Sequence, residues 1–195
     1  MRIACSLGSL LSVEEVLQCT QIISDTKIDS IWIPETWGME NFSMLGAVAN
    51  KTKTQKIGSS IINIYSRSPS TISMGAATTD TLSNGRLILG LGTSSVPIVE
   101  DFHGEKFETP VQRMREYVEI IRLSLTKKQI NYSGKIFDLK NFTLLIEPQR
   151  QSIPIYLAAI NQKMVNLCWE IADGVIFYLR PIDEMKKTIS KMQSQ

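Results

Sequence analysis

The sequence predicts an α/β chain built on a parallel sheet, and three observations predict it. Strand-like and helix-like segments alternate six times along the 195 residues. The apolar triplets at 31–33 (IWI), 87–89 (LIL) and 175–177 (VIF) lack polar alternation, as expected of strands covered on both faces. Each gap between successive strands holds a helix long enough for a crossover. Periodicity alone leaves two architectures open, a doubly wound sheet and a TIM-barrel-like (β/α) barrel.

A first strand spans 2–7 and ends at Gly8. The apolar start at 1–11 invites a signal-peptide reading, but Gly8 interrupts it and the acidic pair Glu14-Glu15 comes next, which suits a strand better. Ser12 and Glu15 form a capping box, and Val13, Val16, Leu17, Thr20 and Ile23 recur as one buried stripe. A strand at 30–33 closes at Pro34, and a helix covers 42–50. The third strand is read as continuous over 56–65. Pro69 opens a helix that stops at Asn84-Gly85. The fourth strand, 86–91, leads into Gly92. Thr109-Pro110 starts a helix with Val111, Met114, Val118, Ile121 and Leu125 inward, and with Arg113, Arg115, Glu116, Glu119 and Arg122 largely elsewhere. Residues 131–150 read as an inserted hairpin turning at Ser133-Gly134, within a single domain over 1–195. The fifth strand, 153–159, precedes a helix with Met164, Leu167, Cys168 and Ile171 buried. Asp173-Gly174 turns into the sixth strand, 175–179, and Pro181 opens a helix with Ile182, Met185, Ile189 and Met192 on one face.

Composition excludes several functions. The net charge is +2, with acids and bases interspersed, so neither nucleic acid nor an anionic membrane is an expected partner. No apolar run reaches membrane-spanning length. The three cysteines lack metal-ligand spacing and read as reduced thiols of a cytoplasmic protein, and a single histidine rules out multi-histidine metal sites.

In either architecture the ligand belongs at the C-terminal strand ends. Those ends carry Gly8, Glu35, Trp37, Asn63, Gly92 to Ser95, Ala158 to Gln162 and Arg180, a rim rich in small residues, hydroxyls and amides. Such a rim suits a phosphate and a flat ring, with a redox cofactor supplying the chemistry. Glu35 is an acid/base candidate or an exposed loop carboxylate. Trp37 stacks on a ring or packs on its neighbours. Gly90 and Gly92 form an anion-binding nest or simply turn the chain. His103 lines the substrate side or stands in solvent. Arg67 holds an anion or pairs with an acid.

Five segments, 30–38 (SIWIPETWG), 56–69 (KIGSSIINIYSRSP), 78–92 (TTDTLSNGRLILGLG), 102–122 (FHGEKFETPVQRMREYVEIIR) and 153–176, which holds IPIYLAAINQKM and EIADGVI, together resemble the luciferase-like oxidoreductases. The likeness is greatest to their deazaflavin-dependent branch, which includes methylenetetrahydromethanopterin reductase. The resemblance implies a TIM-barrel-like fold with about six of eight βα units present. It implies hydride transfer between coenzyme F-420, a deazaflavin, and a small organic substrate. The alternatives it carries are an FMN-dependent monooxygenase using oxygen, a non-catalytic flavin-binding relic and a gene fragment. It also implies a cis peptide at Ser60-Ile61 in a bulge that supports the ring, with Gly8 and Asn63 nearby. Gly92, Thr93, Ser94, Ala158, Ala159, Asn161 and Gln162 would hold the phosphate side, and Glu35, Trp37 and His103 would face the substrate. Asn161-Gln162 stands where the family usually has Gly-Pro or Gly-Gly. With two βα units fewer than the family, strands one and six become open edges, so a homodimer covering the gap, or marginal stability, is expected. A flavin or deazaflavin reductase is the other partner implied.

Overall fold

A computed structural model describes residues 2–8 and 10–193; Met1, Ser9, Ser194 and Gln195, and with them the ends of the 1–195 domain, lie outside the described residues. The order is β1 (Ala4–Ser6), α1 (Val13–Ser24), β2 (Ser30–Ile33), α2 (Asn41–Lys51), β3 (Lys56–Ser59), β4 (Ile62–Asn63), α3 (Pro69–Leu82) and β5 (Leu87–Gly92). A π-helical turn (Ile98–Phe102), α4 (Pro110–Thr126), β6 (Ile130–Ser133), β7 (Asp138–Phe142), β8 (Ile155–Ala158), α5 (Gln162–Ile171), β9 (Gly174–Ile176) and α6 (Ile182–Gln193) complete it.

The main sheet runs β1-β2-β3-β5-β8-β9, every pair parallel, and curls into half a barrel. The strands succeed one another without the reversal of order that defines a doubly wound sheet, which decides between the two architectures. Ile31, Ile33, Ile57, Leu87, Leu89, Leu91, Ile155 and Leu157 are buried on the convex side beneath the helices. Local chemistry sets the helix starts: Ser12 and Glu15 complete the capping box, Ser68 caps α3 with Pro69 in its first turn, and Asn161 caps α5. Asn84 and Gly85, with φ of 55° and 77°, end α3 in the left-handed region. β6 and β7 pair antiparallel beside α4.

Four expectations change. The third strand is not continuous over 56–65: the cis peptide that the resemblance implies stands at Ser60-Ile61, the strand breaks there into β3 and β4, and β4 pairs only with β5. Gly90 and Gly92 are neither a nest nor a turn, since both lie buried inside β5. They admit the broken strand: a Cβ at 90 would collide with the Ser59 carbonyl oxygen, and one at 92 would stand 2.5 Å from Ile61. Val13 is half exposed, and the α6 stripe is mostly in solvent, with Ile182 and Ile189 exposed and Met192 buried. Glu116, placed outward by its charge, is only 1% exposed.

Glu116 is buried because it caps a turn from a distance. Its carboxylate accepts the backbone N–H groups of Lys135 (2.9 Å), Ile136 (3.1 Å) and Phe137 (3.0 Å), and the Gln112 amide (2.8 Å). Burial pushes its pKa up, but the Gln112 amide and these N–H groups outweigh burial and hold the carboxyl below its ordinary value. The ionised form is therefore the one the fold favours.

This packing has two testable outcomes. Gly90→Ala should lower stability by about 1–3 kcal/mol in denaturant unfolding, because the new methyl group meets backbone rather than a yielding side chain. For Glu116, a depressed folded-state pKa makes its stabilisation complete above the ordinary carboxylate range and lost as pH falls through the folded value. Glu116→Gln should cost about 1–3 kcal/mol at pH 7 and flatten the loss of stability below about pH 5, read from thermal melts across pH.

Candidate functional site

The loops leaving the C-terminal strand ends meet around one largely buried ion pair. The Arg67 guanidinium donates to both Glu35 oxygens, at 2.7 and 2.6 Å, and also to Glu40. Their side chains are 15% and 10% exposed for Arg67 and Glu35. Glu35 further accepts the N–H of Asn41 (3.1 Å) and, at 3.5 Å, that of Asn63. Glu40 caps α2 through Phe42 and Ser43. The Arg67 carbonyl accepts the Tyr117 hydroxyl from α4. Hydrogen bonding to Glu35 raises the Arg67 pKa further, against the effect of burial. Burial raises Glu40, but the Ser43 and Phe42 contacts and the Arg67 charge carry it below its ordinary value. Glu35 is thus a committed ion-pair partner rather than a solvent-exposed carboxylate, and Arg67 pairs with an acid.

Beside this pair sits the break in the third strand. The Ser59 hydroxyl donates to the Gly90 carbonyl (2.8 Å) and accepts the Gly90 N–H (2.7 Å), bridging β3 to β5 where the ladder opens. Ser60 N–H reaches the Ile33 carbonyl at 2.8 Å, which also accepts the Asn41 amide at 2.7 Å. Ser60 and Ile61 are half-buried beside this break. Asn63 is 4% exposed; its side-chain oxygen accepts the Tyr65 N–H (3.0 Å), while its Nδ2 has no partner. A buried amide donor without an acceptor is costly unless something else supplies one.

The remaining candidate positions lie on the strand ends and the loops that follow them. Gly92, Thr93 and Ser94 leave β5, with Ser94 at φ 58°. Ala158 and Ala159 end β8, and the Asn161 side chain is spent on capping the Met164 N–H at 3.0 Å. The Gln162 amide donates to Asn166. Gly8 lies just beyond β1, with open space where a Cβ would project. Trp37 is 72% exposed and meets Phe102, 58% exposed, edge to face at 5.6 Å. His103 stands exposed just after Phe102. Nothing in the local sequence singles out Ser59, Tyr65 or Tyr117, whose roles are contacts across 31 to 50 residues of chain.

A cavity of about 550 Å³ opens at the opposite end of the sheet, among Ala4, Asp29, Ser30, Lys56, Ile88 and Tyr156, and touches none of these positions. Cys168 is buried, which pushes its thiol up to about 12, so it stays protonated at neutral pH. Among the described residues no helix is long and apolar enough to cross a membrane.

The ion pair is open to a direct measurement. Arg67→Met strands a buried carboxylate and should cost about 3–5 kcal/mol. Adding Glu35→Gln removes that charge while still accepting the Asn41 N–H. The double variant should therefore regain more than about 1 kcal/mol in denaturant unfolding, the coupling expected of direct partners.

Comparison with known proteins gives this geometry a family. The model of the luciferase-like monooxygenases matches residues 1–195. The chain is 37% identical over 157 residues to a 5,10-methylenetetrahydromethanopterin reductase of Archaeoglobus fulgidus, covering 80% of this chain and 46% of that protein. It is 34% identical over 168 residues to a Mycobacterium tuberculosis protein named as a putative coenzyme F-420-dependent oxidoreductase, covering 79% and 48%. The chain spans about half the length of these curated relatives. The coenzyme F-420-dependent tetrahydromethanopterin reductase of Methanopyrus kandleri superposes with a TM-score of 0.89 at 23% identity, over 98% of this chain and 59% of that one, a likeness of fold. With a family match over its whole length and the same curled parallel sheet, the chain belongs to the luciferase-like monooxygenase family.

Proposed function

We propose that the chain works as a coenzyme F-420-dependent oxidoreductase acting on a small organic substrate. The observation that carries this reading is the Asn63 amide. Its Nδ2 is buried and has no partner, and the residue ends β4, in register with Gly92 of β5. A ring carbonyl or ring nitrogen of a bound deazaflavin would satisfy it. The rest of the rim supports the reading: Glu35 is committed to Arg67 and is not a free acid or base. The names of the relatives point to the same cofactor.

In this reading a bound deazaflavin supplies the carbon that gives or takes hydride. Ser60, Ile61 and Asn63 back the ring, and Gly8 leaves room beside it. Gly92, Thr93, Ser94, Ala158, Ala159, Asn161 and Gln162 hold the phosphate side. Glu35 acts by fixing Arg67 and the N–H groups of Asn41 and Asn63, which orients the ring's support. Trp37 and His103 face the substrate. A homodimer covering the open edges of β1 and β9 belongs to the same proposal, as does a reductase that regenerates the cofactor. A cytoplasmic location fits this redox chemistry.

Purified chain should be titrated with coenzyme F-420 and, separately, with FMN, using absorbance and fluorescence. Tighter binding of the deazaflavin is expected, with Asn63→Ala weakening it about tenfold through loss of one hydrogen bond. Preference for FMN would favour the oxygen-using alternative, and failure to bind either would overturn the proposal. Light scattering on the same sample should give the mass of a dimer.

A further inference from the structure

The exposed aromatic pair is the feature that the proposed function leaves unexplained. Trp37 comes from the loop after β2 and Phe102 from the loop after β5, and β3 lies between those strands in the sheet. The two rings therefore meet across the end of the broken strand. Both remain mostly in solvent although they touch, with interplanar angle 85°. Their contact leaves ring faces uncovered, an aromatic surface at the strand ends open to a flat ligand.

Phe102 is held in place by its loop. It ends the π-helical turn, and single π-helical turns recur at functional sites. Val99 in that turn is fully buried, its N–H bonded to the Ser95 carbonyl at 3.0 Å. Its carbonyl accepts the Glu105 N–H at 3.1 Å. Further along, Phe107 stacks on Tyr65 at 5.3 Å, and the Tyr65 hydroxyl donates to the Glu108 carbonyl at 2.8 Å. The ring is presented by an anchored segment.

Charge around the pair is one-sided. The two loops, 34–40 and 93–109, carry Glu35, Glu40, Glu100, Asp101, Glu105 and Glu108 against Lys106 alone. Arg67, paired with Glu35 and Glu40, offsets one of those two charges, and the excess around the loops remains acidic. An anionic substrate would enter against this field, whereas a neutral or cationic ring is favoured by both the carboxylates and the aromatic faces.

We infer that Trp37 and Phe102 form the substrate-specificity element of this site, taking a flat aromatic ring that bears no negative charge. This rests on the proposed function for what happens to the ring, but the binding preference is measurable without it.

The test uses one ring in three charge states on the purified full chain: quinoline, N-methylquinolinium and quinoline-2-carboxylate, titrated by calorimetry at pH 8. The first two should bind, and the carboxylate should bind at least about tenfold more weakly. Phe102→Ala and Trp37→Ala should each weaken quinoline about fivefold. Phe102→Leu, which keeps the apolar bulk but not the aromatic face, should weaken quinoline to a similar extent, so a folding defect in either alanine variant does not decide the matter. Equal binding of the carboxylate, or unchanged binding in Phe102→Leu, overturns the inference. So does displacement of quinoline by saturating coenzyme F-420, which would assign the pair to the cofactor. Normal cofactor binding with failed ring probes sinks this inference alone. Ring binding without cofactor binding sinks only the proposed function.

Discussion

The Glu35–Arg67 pair is the joint on which the C-terminal end of the sheet depends. One guanidinium ties the loop after β2 and the first turn of α2 to the segment beyond β4. The same residue's carbonyl receives a hydroxyl from α4, across 50 residues of chain. Neither partner is fully removed from water, which keeps the desolvation cost moderate, and the fork geometry uses both carboxylate oxygens. The strand ends that form the mouth are therefore positioned by charge as well as by backbone ladders.

Next to that joint the third strand gives up its ladder, and β5 is shaped to receive it. Gly90 allows the Ser59 carbonyl to approach closer than any side chain would permit, and the Ser59 hydroxyl replaces the ladder bonds that are lost. Beyond the break stands Asn63, with one half of its amide satisfied by Tyr65 and the other half without a partner. Two buried amide atoms of this cluster stand without a partner, the Asn63 Nδ2 donor and the Asn41 Oδ1 acceptor.

Much of the fold was legible in sequence because it rests on local signals. The capping box at Ser12, Pro69 at a first turn, Asn84-Gly85 at a helix end and the unalternated apolar strands each act within a few residues, and each matches the structure. What was not legible depends on contacts across long stretches of chain. The isoleucine-rich run at 56–65 looks like one strand by composition, and the cis peptide at Ser60-Ile61 was legible only through the family resemblance, because the residues that make room for the break, Gly90 and Gly92, lie on a neighbour. Glu116 looks like a surface residue because its partners, the N–H groups of a turn, carry no side-chain signature. The site divides in the same way. Its position at the strand ends comes from topology, whereas the commitment of Glu35 to Arg67 required geometry.

Sequential strand order has an energetic consequence of its own. Helix packing runs α1 on α2, α2 on α3, α3 on α4 and α4 on α5, so each βα unit rests chiefly on the units before and after it. Stability in such an array is close to a sum of unit terms and nearest-neighbour couplings, as in a linear repeat protein. In such an array β3 and β5 have neighbours on both sides, and the Ser59 bridge adds a coupling of its own between them. The cost of breaking the ladder at Ser60-Ile61 is thus shared with the strand that receives it.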